Sequence, residues 1–291
     1  MALFDTLSRN IRQTRHRVLS QIDPDDYAWA IPIMRMGYGG RALVYLVVAG
    51  LSLWSLMQGG EAQGTAQAFQ SLSGGVGTAI IVAIVAGMVA YALWRVIDSL
   101  RDLEAYGTTP QGLIARAGMI VTGLLHLGVG VLAANAIGVV SSGGGGKSTL
   151  VQILSHPIGR WSVGIAGALT IAAAIYYFHK ALTRGYREKL APNPVARRAD
   201  WALRIGVAAQ GLLVGFIGGL LIYAARQGDA YEVGGLDRLF DWLDEQAQGE
   251  ILVIAMCLGL LAFALFCATN AIWRVVPKAS GDGAQTMADA D

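Results

Sequence analysis

The sequence predicts an all-α membrane protein whose six transmembrane helices form three parallel repeats of a helix pair with pseudo-threefold symmetry. Hydrophobic residues make up 54% of the 291 residues and charged residues only 14%, against about 25% charged in a soluble domain. Six apolar segments are long enough to cross roughly 30 Å of hydrocarbon. A short motif recurs at the start of alternate segments. These observations exclude a soluble fold, a disordered chain and a coiled coil.

Each apolar segment is expected to be a helix, because lipid offers the backbone no hydrogen-bond partners. The third, fifth and sixth segments contain no Asp, Glu, Lys or Arg, and the others carry charge only near one end. The predicted spans are about Met36–Met57, Val76–Ile97, Ala117–Val140, Trp161–Leu182, Ile205–Ala225 and Ile251–Trp273.

The distribution of Lys and Arg predicts the orientation of the spans. Basic residues close to a span are enriched on the cytoplasmic side of a membrane. Of the 22 Lys and Arg residues, 18 fall on one side of the predicted spans and 4 on the other. We therefore expect a multi-pass protein of the cell (inner) membrane with both termini in the cytoplasm.

The two ends of the chain are predicted to lie outside the bilayer. Residues 1–34 are polar and basic, with apolar residues such as Leu3, Leu7 and Ile11 at helical spacing. This pattern predicts a cytoplasmic amphipathic helix that binds anionic lipid headgroups, and docking to a membrane-protein partner is the alternative. Residues 279–291 are small and acidic, which predicts a disordered tail.

An internal triple repeat organises the spans. Arg35, Arg116 and Arg204 lie 81 and 88 residues apart, and each is followed two residues later by glycine at the start of an apolar helix. An outer amphipathic segment and a second helix complete each copy, so the repeats are predicted at 35–107, 116–190 and 204–274. Because each copy has two helices, all copies share one orientation around an axis along the membrane normal. Either the odd or the even helices are expected to form an inner ring.

This arrangement resembles the bacterial membrane family called domain of unknown function 1206. The glycine run Gly143–Lys147 and the turn Ser155–Gly159 are also similar to that family, although the first and third copies lack the Pro-Ile-Gly turn. The resemblance extends from about Arg35 to Arg274. It implies a fold and a membrane location, but no activity.

The same glycine run is similar to a phosphate-binding loop, but its context argues against a nucleotide. Ser141 stands where the motif requires its first glycine, and a membrane helix, not a strand, precedes the run. The net charge of +2 gives no indication of nucleic acid either. We therefore expect neither nucleotide nor nucleic acid as a partner.

Polar residues occupy equivalent positions in the three odd spans. Arg41, Thr122 and Gln210 each lie six residues after a leading arginine, and Tyr45 and His126 lie one helical turn deeper. If the odd helices form the inner ring, these side chains line a polar vestibule that would bind an anionic headgroup or solute. In the alternative, Arg41 extends to the membrane interface, and Thr122 and Gln210 connect helices.

Asp98 lies at the cytoplasmic end of the second span. We expect it to form a structural ion pair with Arg35, and Arg41 and Arg95 are the alternative partners. Aromatic residues close to span ends, including Tyr91 and Trp94, are expected to form an interfacial belt.

No constellation in the sequence indicates an enzyme, a cofactor or a metal. There is no paired nucleophile and base, no C-x-x-C and no carboxylate cluster. Two functions remain open. The protein binds or moves a small anionic or lipidic ligand, or it is a structural or regulatory partner of another membrane complex.

Overall fold

The computed structural model describes residues 23–72, 74–140, 151–228, 234–280 and 285–289. Most of the predicted N-terminal amphipathic segment and the glycine run at 143–147 lie outside these residues. Six helices are long and apolar enough to cross a membrane, which confirms the all-α, multi-pass membrane fold. We number them α1 (Ala30–Met57), α2 (Gly75–Arg101), α3 (Pro110–Ala136), α4 (Pro157–Thr183), α5 (Asp200–Gln227) and α6 (Gly249–Trp273).

The six helices form one continuous series of packed neighbours, from α3 through α2, α1, α6 and α5 to α4. α1 packs on α2, α2 on α3, α4 on α5, α5 on α6, and α6 on α1. This is the order of neighbours expected of three repeated pairs around a common axis. The helices α3 and α4 depart from it, because they do not pack extensively on each other. Neither the odd nor the even helices form an inner ring, so that expectation is wrong.

Glycines on both odd and even helices explain why helices that follow each other in the chain, such as α1 and α2, pack closely. Gly40 of α1 faces Gly87 of α2 so closely that a Cβ added to Gly40 would lie 2.5 Å from the Gly87 Cα atom. A Cβ added to Gly37 would lie 2.6 Å from the Tyr91 Cα atom. Small residues allow such close approach of two backbones in a membrane, so this contact fixes α1 against α2.

One end of the bundle is called the basic end here. It carries the loops 102–109 and 184–199 and the residues after α6. At the opposite end, two short helices, Thr65–Ser71 and Leu236–Asp244, lie against the long helices. Their apolar side chains join those of the long helices in one buried cluster. Its largest members include Val48, Phe69, Ile81, Ile84, Met88, Leu239, Phe240 and Leu260. This cluster closes the opposite end with apolar side chains.

A tight turn places Glu104 at the basic end. The residue after α2, Asp102, adopts a left-handed φ of 52°. Its carboxylate accepts hydrogen bonds from the backbone N–H groups of Tyr106 and Gly107, at 2.8 and 2.9 Å. These bonds fold the chain back on itself and direct the buried Glu104 side chain toward the other loops.

Glu104 holds the basic end together. Its carboxylate accepts hydrogen bonds from Lys189, in the loop after α4, and from Arg274, directly after α6. Burial raises the pKa of the Glu104 carboxyl, but the Arg274 and Lys189 cations outweigh that effect and hold it well below its ordinary value. Backbone hydrogen bonds join the same segments, from Ala191 to Trp273 at 2.8 Å and from Lys278 to Leu103 at 3.2 Å.

The structure describes residues 279–280 and 285–289 of the segment that is predicted to be a disordered tail. Ala279 lies in a short helix, Pro277–Ser280. Met287 is only 2% exposed and packs in one cluster with Tyr186 and Leu190. The Met287 N–H also donates to the Leu190 carbonyl at 2.7 Å. One buried methionine and a backbone bond are thus enough to hold a segment whose composition is otherwise small and polar.

The contact between α1 and α2 can be tested with a pair of neighbouring glycines. We expect Gly40→Ala to lower the free energy of unfolding in detergent by about 1–3 kcal/mol, because the new methyl group overlaps the Gly87 backbone. Gly39→Ala is the matched control, since its Cβ would enter open space. Equal thermal stability of the two variants would contradict this packing.

The buried carboxylate at the basic end gives a second prediction. Glu104→Gln should lower stability by about 3–5 kcal/mol, because it leaves buried cations without their counter-ion. The stability that Glu104 contributes is present above its unfolded pKa of about 4.3 and is lost as the pH falls through its lower folded pKa. Melting temperatures should therefore differ between wild type and Glu104→Gln at neutral pH and converge in acid. The exposed Glu250→Gln is the control, and a shift of the same size there would refute the assignment.

Candidate functional site

Arg41 lies in the interior of the bundle. It stands eleven residues into α1, or about 16 Å from the start of the helix, and it is only 3% exposed. The side chain therefore points into the bundle and not to its outer surface. Its Nη1 group donates to the Tyr91 hydroxyl at 2.9 Å, whereas Nε and Nη2 have no hydrogen-bond partner.

Aromatic rings surround the guanidinium. Its central carbon lies 4.9 Å from the centre of the Tyr91 ring and 5.3 Å from that of Phe263. Tyr45 packs edge-on against Phe263 at 4.9 Å. The hydroxyl of Tyr177 also interacts electrostatically with Arg41. Among the described residues no carboxylate forms an ion pair with Arg41, so rings and hydroxyls are its only compensation for lost water.

Tyr91 is the site residue that the sequence analysis missed. Its hydroxyl accepts a second hydrogen bond, from the Arg95 Nε group at 3.0 Å. Tyr91 and Trp94 are completely buried, so the expectation that they belong to an interfacial belt is wrong. The predicted vestibule consists of side chains from the odd helices, whereas Tyr91 lies on α2. Its helical position faces α1 because Gly37 leaves room for it.

His126 reaches the same cluster from α3. Its ring centre lies 4.7 Å from that of Tyr91, and its Nδ1 atom lies 2.8 Å from the Thr122 carbonyl. Because a carbonyl oxygen only accepts, Nδ1 carries the proton in this contact. The structure thus brings together three of the predicted residues, Arg41, Tyr45 and His126.

The other two predicted residues have different surroundings. The Thr122 hydroxyl donates to the Gly118 carbonyl of its own helix at 2.7 Å. Gln210 is buried in α5, and its Oε1 atom has no hydrogen-bond partner. Gly206, one turn before Gln210, packs against the backbone of Phe263. Gln210 is therefore one of several buried side chains with a polar atom that lacks a hydrogen-bond partner, together with Trp94, Asp98 and Arg274.

Asp98 pairs with Arg95 and not with Arg35, which corrects the predicted ion pair. The Asp98 Oδ2 atom lies 3.7 Å from the Arg95 Nη1 atom, and its Oδ1 atom accepts from the Glu104 N–H at 3.2 Å. Arg35 is exposed on the surface of α1. Arg95 lies one turn from Asp98 on the same helix, so the two are close whenever α2 is helical. The distance from Asp98 to Arg35 depends instead on how α1 is rotated about its axis.

Basic side chains outnumber carboxylates around Arg41 and Glu104. Five basic side chains and two carboxylates form this group, within the part of the chain that the structure describes. The basic side chains are Arg41, Arg95, Lys180, Lys189 and Arg274, and the carboxylates are Asp98 and Glu104. Both carboxylates already contact cations, so the arrangement can accept an additional anion. The described residues contain no group of three His, Cys, Asp or Glu side chains that could hold a metal.

Comparisons with known proteins agree with the repeat. A family model described as Domain of Unknown Function (DUF1206) matches residues 36–102, 117–184 and 205–274. The chain is also 24% identical over 269 residues to a protein of Bacillus subtilis (strain 168) named Uncharacterized protein YxxB, covering 89% of this chain and 97% of that protein. No solved structure matches the chain. The three matched segments confirm the predicted threefold repeat and cover most of the sequence, so the chain belongs to the DUF1206 family.

Proposed function

We propose that this protein binds a small anion or an anionic head group at Arg41, inside the membrane. The observation that carries the proposal is the buried guanidinium with two unpartnered N–H groups. A buried ion loses several kcal/mol of hydration free energy, and only a partner of opposite charge or a set of hydrogen bonds can offset this loss. Ionisable groups held inside a membrane domain commonly mark a functional pathway or site.

The free groups have the geometry that a carboxylate or phosphate requires. Nε and Nη2 lie along one edge of the planar guanidinium, and that edge binds two oxygens of such an anion side by side. Nη1 is occupied by Tyr91, which fixes the plane of the group. The excess of basic side chains around the site supports the same class of ligand.

The alternative function, a structural partner of another membrane complex, has less support. The amphipathic helix Leu236–Asp244 buries Leu236, Leu239, Phe240 and Leu243 within the protein itself, whereas its Trp242 is exposed. Most of its apolar face is therefore not available to a second protein. This leaves the anion site as the function that the geometry supports best.

We also propose that the protein lies in a bacterial cytoplasmic membrane with its basic end in the cytoplasm. The Lys and Arg asymmetry supports this orientation, and the similarity to a Bacillus protein supports a bacterial membrane.

Cysteine labelling tests the orientation. A membrane-impermeant maleimide added to intact cells should label Glu61→Cys and Asp241→Cys. Thr108→Cys and Arg198→Cys should react only after the membrane is permeabilised. All four positions are exposed in the structure. The unsubstituted protein is the control, since Cys257 and Cys267 are both buried. Labelling of Arg198→Cys in intact cells would overturn the orientation.

The anion site is tested by native mass spectrometry of protein extracted from membranes. We expect a bound anionic species on wild type that is lost in Arg41→Ala and reduced in Arg41→Lys. A hydrogen bond to a charged group is worth about 1.5–3 kcal/mol, so the affinity should fall at least about tenfold. Arg35→Ala is the matched control, because Arg35 lies on the same helix but is exposed.

Stability distinguishes a binding role of Arg41 from a structural one. Replacing a buried ion pair by apolar side chains of similar volume is often neutral or stabilises by about 1–4 kcal/mol, and among the described residues no carboxylate would lose its partner if Arg41 were removed. Arg41→Met should therefore keep or raise the melting temperature of the ligand-free protein while it abolishes anion binding. Retention of the anion in Arg41→Ala, or severe destabilisation in Arg41→Met, would contradict the proposed function.

A further inference from the structure

We infer that the ligand reaches Arg41 sideways from the lipid, through the space between α3 and α4, and that it is the head group of an anionic amphiphile. The head is a carboxylate or phosphate, and its hydrocarbon chain stays in the bilayer. This inference rests on the proposed function, because it assigns a ligand class and a route to the same site.

Both ends of the bundle are closed along its axis. At the basic end, Glu104, Lys189 and Arg274 join the loops, and Met287 covers the space beside them. At the opposite end, the apolar cluster around Phe69 and Phe240 fills the interior. A soluble ion that came from either aqueous side would have to pass through a packed region.

α3 and α4 end the series of packed helices and do not pack extensively on each other, although His126 of α3 and Tyr177 of α4 both lie beside the Arg41 cluster. Each of these helices is held from its other flank. A Cβ added to Gly130 of α3 would lie 3.0 Å from the Met88 Cβ atom of α2, and one added to Gly167 of α4 would lie 2.7 Å from Ile222 of α5. No glycine of α3 or α4 meets an atom of the other helix in this way. The two helices can therefore separate without breaking a close interface.

Polar side chains of α3 and α4 remain partly accessible next to this opening. His126, Tyr177 and Lys180 are all intermediate in exposure, whereas Arg41 and Tyr91 behind them are buried. Tyr177 and His126 both interact electrostatically with Arg41. An anionic head that enters between the helices would meet the Tyr177 hydroxyl and the Lys180 amine first and then the free edge of the Arg41 guanidinium.

The lipid-facing position of the opening selects the class of ligand. The outer surfaces of α3 and α4 carry exposed apolar residues, including Leu124, Leu125, Ile165, Leu169 and Ile175, so hydrocarbon surrounds the opening. A head group that enters there can remain attached to a chain that lies in the bilayer. A free inorganic anion would first have to cross hydrocarbon, at a large desolvation cost.

Photolabelling of the full-length protein in phosphatidylcholine nanodiscs tests this route. The probe is palmitate with a diazirine on its chain, and the matched control probe is the corresponding fatty alcohol. We expect palmitate to label peptides of α3 and α4 at least about tenfold more than the alcohol does. Arg41→Gln should lower this labelling about tenfold.

Two adjacent substitutions on α3 test whether the opening is the route. Thr122→Trp fills the partly buried face beside His126 and should reduce labelling about tenfold, whereas Val121→Trp, on the exposed surface, should not change it. Melting curves check that both variants fold. The labelling map of wild type tests the route independently of any variant, since label spread evenly over all six helices would overturn the inference.

The outcomes separate the inference from the proposed function. Equal labelling by the alcohol, or full labelling of a folded Thr122→Trp variant, overturns the lateral route. If inorganic phosphate stabilises wild type but not Arg41→Gln while palmitate fails to label α3 and α4, the inference fails and the proposed function stands. If neither phosphate nor palmitate distinguishes Arg41→Gln from wild type, both fail.

Discussion

The buried carboxylate of Glu104 is the interaction on which the arrangement of the three repeats depends. It lies in the loop that joins the first repeat to the second, and it binds Lys189 after the second repeat and Arg274 at the end of the third. One side chain thus ties together the exits of all three helix pairs. It also determines the electrostatics of the interior, because the counter-charge it supplies is already shared by two cations and leaves Arg41 without a carboxylate.

The six helices and their repeat could be predicted from the sequence because the bilayer restricts the choices. A backbone in lipid has to be helical, and apolar segments interrupted by loops define both the number of spans and the three copies. The contacts between helices could not be predicted in the same way. They depend on the rotation of each helix about its axis. That rotation is set by contacts between pairs such as Gly40 and Gly87, and the sequence alone does not indicate which glycines face each other. For this reason Arg41, Tyr45 and His126 could be predicted, whereas the central role of Tyr91 could not, and Arg95 was only an alternative to Arg35 as the partner of Asp98.

The candidate site arises from differences between the repeats. Equivalent positions carry Arg41, Thr122 and Gln210, so only the first repeat has a charge at this position. The groups around that charge come from neighbouring helices of the series, Tyr91 from α2 and His126 from α3. The second repeat differs in another respect, since its two helices do not pack extensively on each other. A fold built from three similar pairs therefore has a charge at this position in one copy and a weak helix interface in another. Both adjoin the same cluster of side chains.

The energetics of Arg41 explain why this asymmetry points to a ligand. The glycine contacts between α1 and α2 hold these helices together without it. Cation–π contacts with Tyr91 and Phe263 contribute about 2 kcal/mol each when desolvated, which offsets only part of the hydration that a buried ion loses. The remaining deficit is concentrated on two adjacent N–H groups. These unpartnered atoms form one bidentate edge, and the anion that we propose would complete it.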